Sequence, residues 1–286
     1  MVWEPALNAF NERIEESGFY HWDRSFQDFK REFDIDARQR APTYLSLDFF
    51  RLQRPELTNR GWYVIRLGQG SFGIFDEEQF ARPYLDLKTD GAEEIEVRAN
   101  NTYRYMRKAF KSLDLSLKSA ENTLLELARF YNIFETMVHE IEGSPDYRIG
   151  PRGGMTQQFD LYFKRKNAQL ERFVYDGQVE LDYSIWTENR VFVVEAKSLT
   201  RNGLDVGWHK MAYPSRRFVD QVRDYGLKIN PVYFLRTRVV DEDVLFLFVF
   251  TEMEFKDGGI ILNDERRWDL LKVFSVNIDQ LDLGLR

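Results

Sequence analysis

Apolar and polar positions alternate along Val179–Trp186, placing Leu181, Tyr183 and Ile185 on one face and Glu180 and Asp182 on the other. That period of two predicts a half-buried strand. After the polar, hairpin-length break Thr187–Arg190, Val191–Val194 is an unbroken apolar run that leads into Glu195-Ala196-Lys197. Such a run predicts a strand covered on both faces. Upstream, Leu124, Leu127, Ala128, Tyr131, Val138 and Ile141 recur at helical spacing, predicting a helix over Ser119–Ile141 with Ser119 as its N-cap. Downstream, Arg216–Tyr225 reads as a helix stopped by Gly226. Pro231–Val240 and Val244–Phe250 read as strands and Glu265–Phe274 as a short helix.

The N-terminal part has its own pattern. Amphipathic helices are predicted near Pro5–Glu16 and Ser25–Phe33, followed by a β-rich stretch over Thr43–Phe75. Gly68-Gln-Gly70-Ser-Phe-Gly73 matches G-x-G-x-x-G, but Ile74-Phe75 continues a strand where a dinucleotide site needs a helix. The chain also lacks the His-Arg-Asp and Asp-Phe-Gly sequences that accompany a kinase glycine loop. The glycines therefore predict a tight hairpin between Trp62–Leu67 and Ser71–Phe75, and no nucleotide cofactor is expected. The acidic, turn-forming stretch Lys88–Glu94 is the best boundary. It divides an N-terminal α+β region, residues 1–90, from a second domain, residues 91–286. No repeat or low-complexity segment interrupts either part.

Composition narrows the class. Of 286 residues, 43% are hydrophobic and 15% aromatic, enough for a packed core. There is no cysteine, which excludes disulfides and thiolate-bound zinc, and His21, His139 and His209 are too scattered for a histidine metal site. With no basic-then-apolar leader and no apolar run of about 20 residues, a soluble cytoplasmic protein without membrane contact is expected. The net charge of −7 disfavours indiscriminate binding to nucleic acid. Between residues 200 and 238, however, the chain carries Arg201, Lys210, Arg216, Arg217, Arg223, Lys228, Arg236 and Arg238 against Asp205, Asp220 and Asp224. This local cationic excess is the candidate phosphate-binding surface. The glycine-containing loop Arg201–Lys210, with Trp208 and His209, is either a grip on a phosphate backbone or an ordinary solvated loop.

Chemistry enters where the two central strands end. Glu195 and Lys197 are two apart and share a face, and Asp182 lies across the hairpin with twelve residues intervening. Three charges at the end of an apolar sheet are costly unless paired or metal-bound. Mg²⁺ suits the place, because it accepts hard oxygen ligands and commonly takes only one or two protein carboxylates. Asp182 and Glu195 are the candidate carboxylate ligands, with the Ala196 carbonyl as a third. Lys197 is then available to lower the pKa of the attacking water or to stabilise charge on a phosphate. Glu180, on the face of Asp182, is the second choice.

The Asp182…Glu195-x-Lys197 segment resembles the PD-(D/E)xK nuclease superfamily, although Leu181 stands where the motif's name has a proline. The resemblance covers residues 119–240 and implies an α/β restriction-endonuclease-like core, a central mixed sheet flanked by helices. It implies Mg²⁺, with Mn²⁺ as a substitute. Glu135 then corresponds to a helix glutamate holding a metal-bound water, or else marks the edge of the buried helix stripe. Gln221, one turn before Tyr225, resembles a site-lining helix motif of some branches. The implied activity is sequence-specific cleavage of double-stranded DNA by a type II restriction enzyme acting as a homodimer, with Arg201, His209, Lys210, Arg216, Arg217, Arg236 and Arg238 as candidate DNA contacts. The N-terminal region would serve DNA recognition or dimerisation. Alternatives are a related nuclease of repair, transposition or RNA processing, and a noncatalytic nucleic-acid-binding module.

Overall fold

The computed structural model describes residues 3–36, 38, 45, 48–95, 121–143, 146–198, 205–239, 242–265 and 268–277. The N-terminal region begins with α1 (Leu7–Ser17), β1 (Phe19–Trp22) and α2 (Phe26–Glu32). The Ser25 hydroxyl caps α2 by accepting from the Asp28 N–H at 3.2 Å. After the single-turn α3 (Pro55–Thr58), β2 (Trp62–Arg66) and β3 (Phe72–Asp76) form the expected hairpin, and β1 pairs with β3. Alternation sorts this small sheet between two cores. Trp62, Val64, Phe72 and Ile74 pack against Trp3, Phe10 and Phe29. Tyr63, Ile65 and Phe75 face the other way, where Phe75 stacks on Phe163 at 4.2 Å. Each such buried phenylalanine contributes roughly 1.5–3 kcal/mol.

Then follow β4 (Tyr84–Asp86), β5 (Glu93–Glu94), α4 (Glu121–Phe130), α5 (Ile133–Glu142) and β6 (Arg148–Ile149). The long hairpin β7 (Met155–Lys164) and β8 (Leu170–Val179) precedes β9 (Tyr183–Trp186) and β10 (Arg190–Ser198). The remainder comprises β11 (Asp205–Gly207), α6 (His209–Arg216), α7 (Val219–Arg223), β12 (Lys228–Val239), β13 (Glu242–Phe250), β14 (Ile260–Ile261) and β15 (Leu270–Asn277). The centre of the molecule is a seven-stranded mixed sheet in the order β5-β15-β13-β12-β10-β9-β6. Its middle pair, β10 and β12, is parallel, and β9, β13 and β15 extend it antiparallel.

Helices α4 and α5 cover one face, burying Leu124, Leu127, Phe134 and Val138 against Phe192, Val194 and Phe234. The other face is covered in two patches. Toward the start of β10, α7 packs Phe218, Val219 and Val222 on Val191 and Val193. Toward its end, α6, the β7–β8 hairpin and the inner face of the N-terminal sheet close over Tyr233 and Leu235. That core crosses the boundary near residue 90, and β4 pairs with β11 across it as well. Among the described residues, no helix is long and apolar enough to cross a membrane.

Several elements differ from the sequence pattern. The stretch 119–141 is two helices, because Asn132 takes a left-handed conformation (φ 54°) and turns the chain so that both helices keep their apolar sides on the sheet. Ser119 lies outside the described residues. The strand expected over 179–186 is interrupted: β8 ends at Val179, and Glu180–Asp182 cross over to the central sheet before β9 begins. The helix expected over 216–225 divides at Arg217–Phe218, since α6 and α7 serve different cores. Residues expected as the helix 265–274 instead enter β15, where Phe274 and Val276 alternate into the core opposite β13.

Candidate active site

The β9–β10 hairpin sets the geometry. Its register pairs Tyr183 with Val194, which brings the residue just before β9, Asp182, beside the end of β10. There the Asp182 Oδ2 accepts from the Ala196 N–H at 2.8 Å. Ala196 points into the α4–α5 core, so its neighbours Glu195 and Lys197 point to the opposite face. Glu195 is 4% exposed. The Lys197 ammonium lies 3.1 Å from Glu195 Oε1, 2.9 Å from Glu121 Oε1 and 3.6 Å from Asp48 Oδ2. A second ammonium, that of Lys210 on α6, lies 3.3 Å from Asp48 Oδ1 and 3.5 Å from Glu195 Oε1. Two lysines are thus held among three carboxylates, with Asp182 next to them.

Burial governs the protonation of this group. It pushes Glu195 up to about 7, helped by the nearby Asp182 and Asp48 and opposed by Lys210 and Lys197. Burial also disfavours charge on Lys197, but Glu195, Asp48 and Glu121 outweigh it and hold the lysine above its ordinary value. Glu195 does the same for Lys210 against its own burial, with Asp48 assisting. Asp48 is desolvated too, yet the two lysines keep its carboxyl below the usual range. Both lysines are therefore cations, beside a Glu195 carboxyl that burial makes easier to protonate than an ordinary carboxylate.

The structure brings together Asp182, Glu195, Ala196, Lys197 and Lys210 of the residues singled out by sequence. It adds Asp48, from the N-terminal region, and Glu121, at the start of α4. Glu135 stands instead in the first turn of α5 and forms no ion pair with either lysine among the described residues. Gln221 is exposed on α7, and Tyr225, beyond that helix, is 77% exposed. Of α6 and α7, it is α6 that reaches the cluster, through Lys210.

The expected cationic surface is largely committed elsewhere. Arg236 is buried on β12 at 8% exposure. Arg216 pairs with Asp220 at 3.4 Å, and Arg217 donates to the Gly153 carbonyl at 3.3 Å. Of Arg238 only its backbone place on β12 is described, and Arg201 lies outside the described residues. His209 is buried between Tyr84 and Tyr213, and burial, with Lys210 beside it, lowers its pKa to about 3. It is neutral and cannot serve as a cation for phosphate.

The donor set fits a hard divalent cation in kind. Asp182 uses Oδ2 to hold the strand end, and Glu195 and the Ala196 carbonyl belong to that same strand end. No cluster of three or more His, Cys, Asp or Glu side chains arranged for a metal occurs among the described residues. Two carboxylates and a carbonyl suit Mg²⁺, which keeps several waters, better than zinc.

Residues 83–261 match a protein family described as "Domain of unknown function (DUF6997)". The chain belongs to the DUF6997 family. The DUF6997 match takes in β4 through β14, and with them Glu121, Asp182, Glu195, Lys197 and Lys210, whereas Asp48 lies upstream of it. No curated protein and no solved structure matches the chain.

Proposed function

We propose that this DUF6997 protein is a Mg²⁺-dependent endonuclease of the PD-(D/E)xK type. Its mixed sheet serves as a restriction-endonuclease-like core, and the substrate is double-stranded DNA cut at specific sequences. The observation that carries this proposal is the strand end itself: Asp182 bonded to the Ala196 N–H, with Glu195 and a cationic Lys197 side by side on the opposite face. Asp182, Glu195 and the Ala196 carbonyl would hold Mg²⁺ or Mn²⁺, which supplies Lewis acidity and a more acidic water.

The chain's own groups do the rest. Hydrolysis forms a bond from a water oxygen to phosphorus and breaks one P–O ester bond, and the departing sugar oxygen takes a proton. Charge grows on the phosphoryl oxygens, and a preorganised ammonium in a dry site stabilises it strongly. Lys197 fills that role. With three carboxylates around it the lysine stays protonated, so it acts as a cation and hydrogen-bond donor rather than as a base. Lys210 supplies a second ammonium on the same carboxylate. With one site per chain, cutting both strands calls for a homodimer whose two-fold axis matches a palindromic target.

The test is digestion of unmethylated phage DNA by the purified protein in Mg²⁺, with an EDTA control. Discrete, metal-dependent fragments are the expected result. A smear would point to a nuclease of repair or transposition type. No cleavage of DNA, methylated or not, would shift the function to RNA or to binding without catalysis.

A further inference from the structure

The core beneath the carboxylate–lysine cluster holds several tyrosines, and their hydroxyls are not treated alike. Tyr63 donates to the Ala81 carbonyl at 3.2 Å, Tyr84 to that of Val64 at 3.2 Å, Tyr175 to that of Gln178 at 2.8 Å and Tyr213 to that of Arg66 at 2.9 Å. A buried tyrosine usually finds such a partner. Tyr233, in the same core and 0% exposed, has none for its hydroxyl among the described residues. An unpaired buried donor costs stability that a phenylalanine of the same shape would avoid.

The register of the sheet shows what that hydroxyl meets. β10 and β12 run parallel with Glu195 opposite Tyr233, while β13 puts Phe248 on the other side of the ring. Side chains opposite one another on paired strands share a face, about 4.8 Å apart. Phe234 turns into the α4–α5 core, so Tyr233 stands on the face of Glu195 and Lys197. Among the charges acting on its hydroxyl Glu195 comes first, followed by Lys197, Asp48 and Glu121, all members of the cluster. Burial, reinforced by the carboxylates, holds the hydroxyl well above its ordinary pKa, so it is a neutral donor at every working pH.

We propose that Tyr233 is a positioning residue of the site, its hydroxyl donating to the Glu195 carboxylate when that group ligates a divalent cation. Full burial keeps the tyrosine from substrate, so it acts through Glu195. Lys197 on the same strand and Lys210 on α6 approach Glu195 Oε1 at 3.1 Å and 3.5 Å. Tyr233 adds a donor from the neighbouring strand, carried on a rigid ring rather than a flexible stem. Metal-ligating carboxylates are held by such partners, whose loss weakens metal binding by about 10–100-fold. The inference rests on the metal site of the nuclease proposal and adds the residue that orients one of its ligands.

Isothermal titration with Mn²⁺ tests this without cleavage, on wild type, Tyr233→Phe, Glu195→Gln and the double variant. Tyr233→Phe should bind Mn²⁺ at least about tenfold more weakly than wild type. In the Glu195→Gln background the same change should cost no more than about twofold, because the hydroxyl acts through the carboxylate already removed. The urea midpoint of Tyr233→Phe should equal or exceed that of wild type, since an unpaired buried donor is gone. Unchanged Mn²⁺ affinity in Tyr233→Phe, an equal loss in both backgrounds, or a Tyr233→Phe protein that no longer folds would overturn the role of Tyr233. Any of these beside a saturable wild-type site would leave the metal site standing, whereas no Mn²⁺ binding by wild type would overturn the metal site and the role of Tyr233 with it.

Discussion

The two halves of β10 present one face of one strand to opposite surroundings. Val191 and Val193 are sealed under Phe218, Val219 and Val222, while Glu195 and Lys197, nearly as buried, meet Asp48, Glu121, Asp182 and Lys210. Apolar burial explains the first half outright. The second half carries a desolvation cost that its ion pairs offset only while all partners are present, and apolar side chains of similar volume would stabilise as well or better. Charge kept where hydrocarbon would serve stability points to chemistry at that end of the strand.

The largest break in this contrast comes from Lys197→Ala. The cleavage rate under single-turnover conditions should fall by at least about 10²–10³-fold, the usual effect of losing one preorganised donor. Retained activity would remove Lys197 from catalysis. On the strand's opposite face the consequence should be stability alone. Phe192, fully buried against α4 and α5, should cost about 3–5 kcal/mol when changed to Ala, measured by urea unfolding.

A third change sharpens the comparison through pH. His209 has its pKa lowered from 6.5 to about 3, so below pH 6.5 the unfolded chain binds a proton that the folded chain refuses. The unfolded state then holds more protons, and stability falls as pH falls, by up to about 1.4 kcal/mol per pH unit from this one group. Urea midpoints of wild type should therefore decline between pH 6.5 and pH 4 more steeply than those of His209→Gln. Parallel slopes would contradict the buried, neutral imidazole.

The smallest effect separates two glutamates. Glu121 pairs with Lys197 at 2.9 Å but its side chain is 43% exposed, so solvent weakens the pair. Glu121→Gln should slow cleavage by no more than about fivefold, from the roughly 0–1 kcal/mol of such a pair. Glu135→Gln should leave the rate unchanged. The reverse order, read in the same assay, would restore Glu135 to the site.

What was legible in the sequence follows the range of the interactions. β10 announces itself as Val191–Val194, and the β2–β3 hairpin as two apolar runs about a glycine turn, because both signals are local. Asp182 was reachable because a hairpin of fixed length carries it to Ala196. Asp48 and Glu121 carry no local mark; tertiary packing brings them from 149 and 76 residues away from Lys197. The one available signal is the polar Asn132, which interrupts the long helical pattern and makes its first half, starting at Glu121, a separate element. Periodicity alone extended the helix through that break and favoured Glu135. The stretch Glu265–Phe274 departs from its pattern for the opposite reason: a short apolar run has the same local signature in a helix and a strand, and only the pairing of β15 with β13, Phe274 opposite Leu247, decides it.

The most direct measurement is Mn²⁺ binding followed by electron paramagnetic resonance, comparing wild type with Glu195→Gln. The wild type should show a saturable site, and the variant, with one carboxylate ligand neutralised, should bind at least about tenfold more weakly. Equal binding by both proteins, or none by the wild type, would contradict a metal held at the end of β10.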